Sequence, residues 1–128
     1  MKRFATYLTL IGSLVLTLNC GESGDSGRDY RTELDDLDTQ IQTLIEDRSC
    51  NADDDCYTIA YGSKACGGPQ TYLVYSSLAA DVESLESLVE EYNQLEDEYN
   101  AEEDVISTCD IAIEPEIACT DETCQEIE

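Results

Sequence analysis

The chain has 128 residues, with 30 Asp or Glu against six Lys or Arg, a net charge of −24 at pH 7. A surface this acidic repels phosphate backbones and anionic head groups, which excludes direct nucleic-acid binding. Histidine and tryptophan are absent and the single methionine is Met1, which removes histidine-dependent triads and dyads, histidine-ligated zinc or copper, and ordinary haem ligation.

Lys2 and Arg3 precede an uncharged, largely apolar run over residues 4–18. A basic start and a short apolar run describe a secretory signal, too short for a comfortable membrane span. The run ends at Leu18-Asn19-Cys20, and GESGDSG follows. This junction resembles a bacterial lipoprotein signal, with Thr17 and Asn19 where such boxes usually carry leucine and a small residue. The resemblance implies acylation of Cys20 as the first mature residue and a lipid anchor in the cell envelope. By likeness to proteobacterial lipoproteins, Gly21 after the cysteine implies the outer membrane. The alternative is an ordinary secretory signal with Cys20 as a seventh disulfide cysteine. The division expected is signal peptide at 1–19, lipidated cysteine and flexible tether at 20–28, and one domain at 29–128.

With Lys2 and Arg3 removed, 30 acids face four bases. Such a surface suits a basic protein partner or a cation, although charge runs are most often simply solvated. A domain of this size has a thin core and gains from cross-links. Cys50, Cys56, Cys66, Cys109, Cys119 and Cys124 form an even set beyond Cys20, and an oxidising periplasm turns exported cysteines into disulfides. Three disulfides are therefore expected. Cys50 pairs with Cys56 or a tail cysteine in this reading, Cys66 with Cys109, and a Cys119–Cys124 bond closes a hairpin.

Tyr30, Leu34, Leu37, Ile41 and Leu44 recur at spacings of four and three, which predicts an amphipathic helix over residues 30–49. Tyr57-Thr58-Ile59-Ala60-Tyr61 and Thr71-Tyr72-Leu73-Val74-Tyr75 have the aromatic and β-branched content of strands. The Gly62 to Gln70 loop between them contains Cys66-Gly67-Gly68-Pro69, a turn sequence. Ser76 or Ser77 is the expected N-cap of a second helix, whose stripe starts at Leu78 and passes Val82, Leu85, Val89, Tyr92, Leu95 and Tyr99. Eleven acids and no base lie between Asp81 and Asp104, so apolar packing against the first helix must hold it. In the tail, Ile111 and Ile113 alternate with polar or small residues as in a strand, and residues 117–119 and 124–127 predict a hairpin around 120–123. The fold class expected is α+β, with two long antiparallel acidic helices packed on a small antiparallel sheet.

The segment CGGPQTYLVYS at residues 66–76, with cysteines on both sides, resembles a group of small exported bacterial proteins, many of them lipoproteins, whose function is not established. The resemblance implies an exported disulfide domain and carries over no catalytic or binding residue.

Candidate sites are few. Ser63 beside Lys64 is no dyad, because neighbours on an extended segment point to opposite sides. Paired carboxylates perform glycoside hydrolysis when one sits in a cleft, but 30 carboxylates make any pair arbitrary, and the expectation is a protein without enzymatic activity. Asp53, Asp54 and Asp55 offer oxygens for calcium, without the alternation or the glycine of an EF-hand loop; a solvated acidic loop is the plainer account. Lys64 is the sole lysine beyond the leader. On a disulfide-held loop it has the form in which small inhibitors meet trypsin-like hydrolases, while a solubilising turn lysine is commoner. Tyr61, Tyr72 and Tyr75, with Tyr57, either form a binding face or complete a core that lacks tryptophan. The function expected is a non-catalytic envelope lipoprotein, a binding or structural module without a cofactor. Inhibition of an extracytoplasmic hydrolase through the Lys64 loop and calcium-dependent binding are the alternatives.

Overall fold

The computed structural model describes residues 28–127, so the signal, Cys20 and the tether up to residue 27 lie outside the described residues. Within them, helices α1 (Tyr30–Leu44) and α2 (Val82–Glu102) accompany two antiparallel pairs, β1 (Cys56–Tyr61) with β2 (Thr71–Ser76), and β3 (Glu116–Thr120) with β4 (Thr123–Ile127). The class is α+β, with two small sheets rather than one.

The period-two pattern of β1 and β2 sets the layering. Ile59 lies opposite Leu73 and Tyr57 opposite Tyr75, while Cys56 faces Ser76 and Thr58 faces Val74. Alternate residues of a strand point to opposite faces. One face therefore joins Ile41 and Ile45 of the α1 side and Leu85 and Val89 of α2 to Tyr75, Ile59, Tyr61 and Leu73. The other joins Cys56 and Val74 to Cys50, Cys124, Ile117 and Cys119. The sheet is thus covered by the helices on one side and by the β3–β4 hairpin on the other.

The helices run antiparallel. Tyr30 near the start of α1 packs on Tyr99 near the end of α2, Leu37 clusters with Leu95, and Ile41 with Leu85 and Val89. Asp29 caps α1, its carboxylate accepting from the Thr32 amide at 3.3 Å and hydroxyl at 2.8 Å. Asp81 caps α2 in the same way through Ser84, at 3.2 and 2.9 Å. Both are Asp-x-x-Thr/Ser sequences whose oxygens satisfy donors that the first helical turn leaves open.

Two boundaries and one strand differ from the expectation. α1 stops at Leu44 rather than near Ser49, because Arg48 to Cys50 pair with the hairpin instead: the Cys50 amide donates to the Glu122 carbonyl at 3.0 Å and the Cys124 amide to the Arg48 carbonyl at 2.8 Å. Neither Ser76 nor Ser77 caps α2. Ser76 is buried and its hydroxyl donates to the Ser49 carbonyl, which leaves Leu78 outside the helix and 55% exposed. The alternation at Ile111 and Ile113 forms no strand, since neither meets a partner strand and both are exposed. The expected hairpin does form, turning through Asp121 and Glu122 at φ of +51° and +59°, the positive values that two-residue hairpin turns require.

Candidate functional site

The cysteines divide into two kinds. Cys50 bonds Cys119 and Cys56 bonds Cys124, with Cα separations of 5.9 and 5.4 Å. This corrects two of the expected pairings. Cys119 and Cys124 are direct cross-strand partners, but they present their sulfurs to the same face, where Cys50 and Cys56 lie at the two ends of the 51–55 loop. Each hairpin cysteine takes one of them, so the tail option for Cys50 holds and neither Cys50–Cys56 nor Cys119–Cys124 forms. The expected third bond is also missing, because Cys66 and Cys109 are free and exposed. A close group of sulfurs from Cys50, Cys56 and Cys124 is accounted for by these bonds, since a disulfide sulfur is not a thiolate ligand.

Asp53, Asp54 and Asp55 form a short 3-10 turn inside the stapled loop. Asp53 accepts from the Cys119 amide at 2.8 Å. One oxygen of Asp55 accepts from the amides of Asn51 and Ala52, at 2.9 and 3.0 Å. These two carboxylates therefore hold the loop and the hairpin in place, a role that the triple-aspartate pattern does not reveal. They do not converge with Asp54 on one point among the described residues.

Lys64 is not displayed. It is 7% exposed, and its ammonium donates to the backbone carbonyl of Asp110 at 2.7 Å and to that residue's carboxylate at 3.1 Å. An ammonium costs too much to bury unpaired, and Asp110, brought alongside by the 103–115 segment, supplies both acceptors. The Asp110 carboxyl is held below the usual carboxylate range, by the Thr108 hydroxyl first and by Lys64 second. A side chain enclosed in this way is not presented to a protease pocket, which weighs against the alternative reading of Lys64.

The loop carrying Lys64 is buttressed by one stripe of α2. Asn93 accepts from the Gly62 amide at 2.6 Å and donates to the Ala60 carbonyl at 3.2 Å. Glu96 accepts from the Ser63 amide and Asp97 from the Ser63 hydroxyl. Asn100 donates to the Ser63 carbonyl at 2.7 Å. Positions 93, 96, 97 and 100 share a helix face, and the two asparagines in an otherwise acidic helix were the readable signal. Gly62 permits the approach: at φ +80°, a Cβ there would sit 2.5 Å from the Gln70 side chain.

On the same loop, the Cys66 sulfur meets the Ser107 hydroxyl at 3.3 Å and the Thr108 carbonyl at 3.4 Å. The Cys109 thiol lies against it and lowers the Cys66 pKa, helped by Ser107 and, more weakly, by the Lys64 charge. Cys109 is shifted upward by the same contact.

The tyrosines separate as well. Tyr75 is buried in the core and stacks on Tyr57. Tyr61 stacks on Tyr92 at 4.4 Å and donates to Asp38 at 2.6 Å; burial, then Asp38, pushes its pKa upward. Tyr72 is half-buried and lines an open groove of about 660 Å³ together with Leu73 and Val74 of β2, Asp38 and Gln42 of α1, and Glu46, Arg48 and Glu126. This groove follows the edge of β2 that faces away from β1, an edge without a strand partner among the described residues.

Comparison with known proteins gives no match: no family model, curated protein or solved structure is similar enough to this chain to inform its function.

Proposed function

We propose that the protein is a non-catalytic, lipid-anchored module of the cell envelope that binds a basic protein partner through an extended segment of that partner. The observation that carries the reading is the groove along the open edge of β2. An unpaired strand edge offers backbone donors and acceptors to an added strand. Its walls carry the carboxylates of Asp38, Glu46 and Glu126 against the single guanidinium of Arg48, which favours a basic occupant. Tyr72 adds an apolar body with a polar tip.

Export is supported by the Cys50–Cys119 and Cys56–Cys124 bonds, since stable disulfides belong to oxidising compartments. Anchoring rests on the lipoprotein-like junction at Cys20. A third bond, between Cys66 and Cys109, forms in the same oxidising setting. Inhibition through Lys64 is not retained, because that side chain is enclosed.

The test is capture of partners from envelope and secreted extracts on the detergent-extracted full chain, against a variant carrying Tyr72→Ala, Glu46→Lys and Glu126→Lys. A basic protein retained by the native chain through moderate salt and lost from the variant is the expected result. Equal retention by both removes the groove from the account. Fractionation of cells producing Cys20→Ala alongside the native chain tests the anchor, with release from the membrane expected only for the variant.

A further inference from the structure

The Cys66–Cys109 pair differs from the two bonded pairs in its surroundings. Cys50, Cys56 and Cys124 are buried in an apolar cluster, whereas Cys66 and Cys109 are both exposed thiols. The fourth bonded cysteine, Cys119, is half-buried and packs against the same cluster. Cys66 and Cys109 stand at a junction assembled from two distant segments, the 62–70 loop and the 103–115 segment, with nothing between them and solvent.

One neighbour of Cys66 favours a thiolate, while the Thr108 carbonyl, 3.4 Å from the sulfur, accepts from the neutral thiol. The Ser107 hydroxyl reaches its sulfur at 3.3 Å. The buried ammonium of Lys64 lies on the same junction, bound to Asp110, the residue after Cys109. The loop itself is fixed by the Lys64 amide on the Gly68 carbonyl at 2.9 Å and the Gly67 amide on the Lys64 carbonyl at 2.7 Å. An accessible thiol that meets a hydroxyl and lies beside a second thiol is the arrangement of a thiol–disulfide exchange site.

We propose that Cys66 and Cys109 form a reversible thiol–disulfide exchange site that accepts a disulfide donor, either a small disulfide such as oxidised glutathione or the disulfide of an exported oxidoreductase. The Cys66 thiolate attacks one sulfur of the donor, forming a mixed disulfide and releasing one donor thiolate. The Cys109 thiolate then attacks the Cys66 sulfur, forming the Cys66–Cys109 bond and releasing the second. Two electrons pass from the cysteine pair to the donor, and the two cysteine protons end on the two donor thiols. The described structure is the reduced form of this site. Oxidation clamps the Lys64 loop to the 103–115 segment, and reduction leaves the Lys64–Asp110 contact to hold them. The site lies apart from the β2 groove, so its failure and that of the proposed binding role are separable.

The full chain is equilibrated in glutathione buffers of increasing oxidised fraction, quenched with acid, alkylated, and mapped by peptide mass spectrometry. The expected result is a two-electron transition of Cys66 and Cys109 across the glutathione range, while the other two bonds stay closed throughout. Cys109→Ser is expected to accumulate glutathione on Cys66. Cys66→Ser should modify Cys109 at least about tenfold more slowly, because the favoured thiolate is gone. Ser107→Ala, a change that keeps both cysteines, should slow the reaction of Cys66 without unfolding the chain. Three bonds opening together only on unfolding, or Cys66 and Cys109 remaining unpaired at every ratio, overturns the proposal; so does equal reactivity of Cys66 and Cys109 in the two single variants.

Discussion

Two junctions tie the second half of this chain to the first, and they are built from different chemistry. At one, the Arg48 to Cys56 stretch meets the β3–β4 hairpin through two disulfides, backbone pairing and the carboxylates of Asp53 and Asp55. At the other, the 62–70 loop meets the 103–115 segment through one buried ammonium, one exposed carboxylate and a pair of free thiols. The first buries its sulfur among apolar groups and is covalent. The second exposes its sulfur and is polar. The same element therefore staples the fold at one end and remains chemically available at the other, and accessibility and neighbouring charge decide which.

The contrast is broken most sharply by removing a covalent tie. Replacing Cys50 and Cys119 together by alanine should cost about 3 kcal/mol in urea unfolding, because Cys56–Cys124 still closes the long loop and only the short ring between the two bonds is opened. Replacing Cys66 and Cys109 together by serine, measured against the native chain in its reduced form, should leave the unfolding midpoint unchanged. Equal losses at both junctions would erase the distinction between them.

Leu85→Ala should cost about 3 kcal/mol by leaving a cavity in the core, since that side chain is fully enclosed between the helices and the sheet. Both junctions depend on this core. The loss should appear as a fall in global stability, with the order in which the two junctions open preserved in hydrogen exchange.

The polar junction should respond to acid through Asp110. Asp110 has a lowered pKa in the folded chain, so its contribution is complete above the usual carboxylate value of about 4 and disappears as pH falls through the lower folded value. Amide exchange at Lys64 and Gly67, corrected for the intrinsic pH dependence, should accelerate over that acid window. Asp110→Asn should show the faster exchange already at neutral pH, by about tenfold. Exchange at Cys50 and Cys124 should be unaffected by the substitution. The smallest effect expected is that of salt: raising ionic strength from low to physiological should raise Tm by a few degrees, about the scale set by screening many like charges.

Local chemistry was legible in the sequence and distant pairing was not. Strands 57–61 and 71–75 are legible from their aromatic and β-branched content, and their alternate side chains divide between the helices and the hairpin. The alternation at Ile111 and Ile113 misleads, because no strand lies beside them and the pattern has nothing to bury against. The end of α1 was misplaced since its periodicity continues to Ile45, while pairing with the hairpin, more than 70 residues later in sequence, takes the backbone of Ser49. Lys64 read as a displayed lysine because its acceptor, Asp110, lies far along the chain. For the cysteines, spacing suggested the short bonds. The hairpin instead turns both of its sulfurs toward one face, which only the three-dimensional register makes plain.

The central claim is that the chain is stapled at one junction and open to thiol chemistry at the other, and a disulfide map of the native full chain tests it most directly. Acid-quenched protein is cleaved on the amino side of aspartate and the carboxyl side of glutamate, which separates Cys50 from Cys56 at Asp53–Asp55 and Cys119 from Cys124 at Glu122. The account predicts Cys50 linked to Cys119 and Cys56 linked to Cys124 under all mild conditions, with Cys66 and Cys109 joined or free according to the redox buffer. A Cys119–Cys124 peptide, or Cys66 joined to any of the four stapled cysteines, would contradict it.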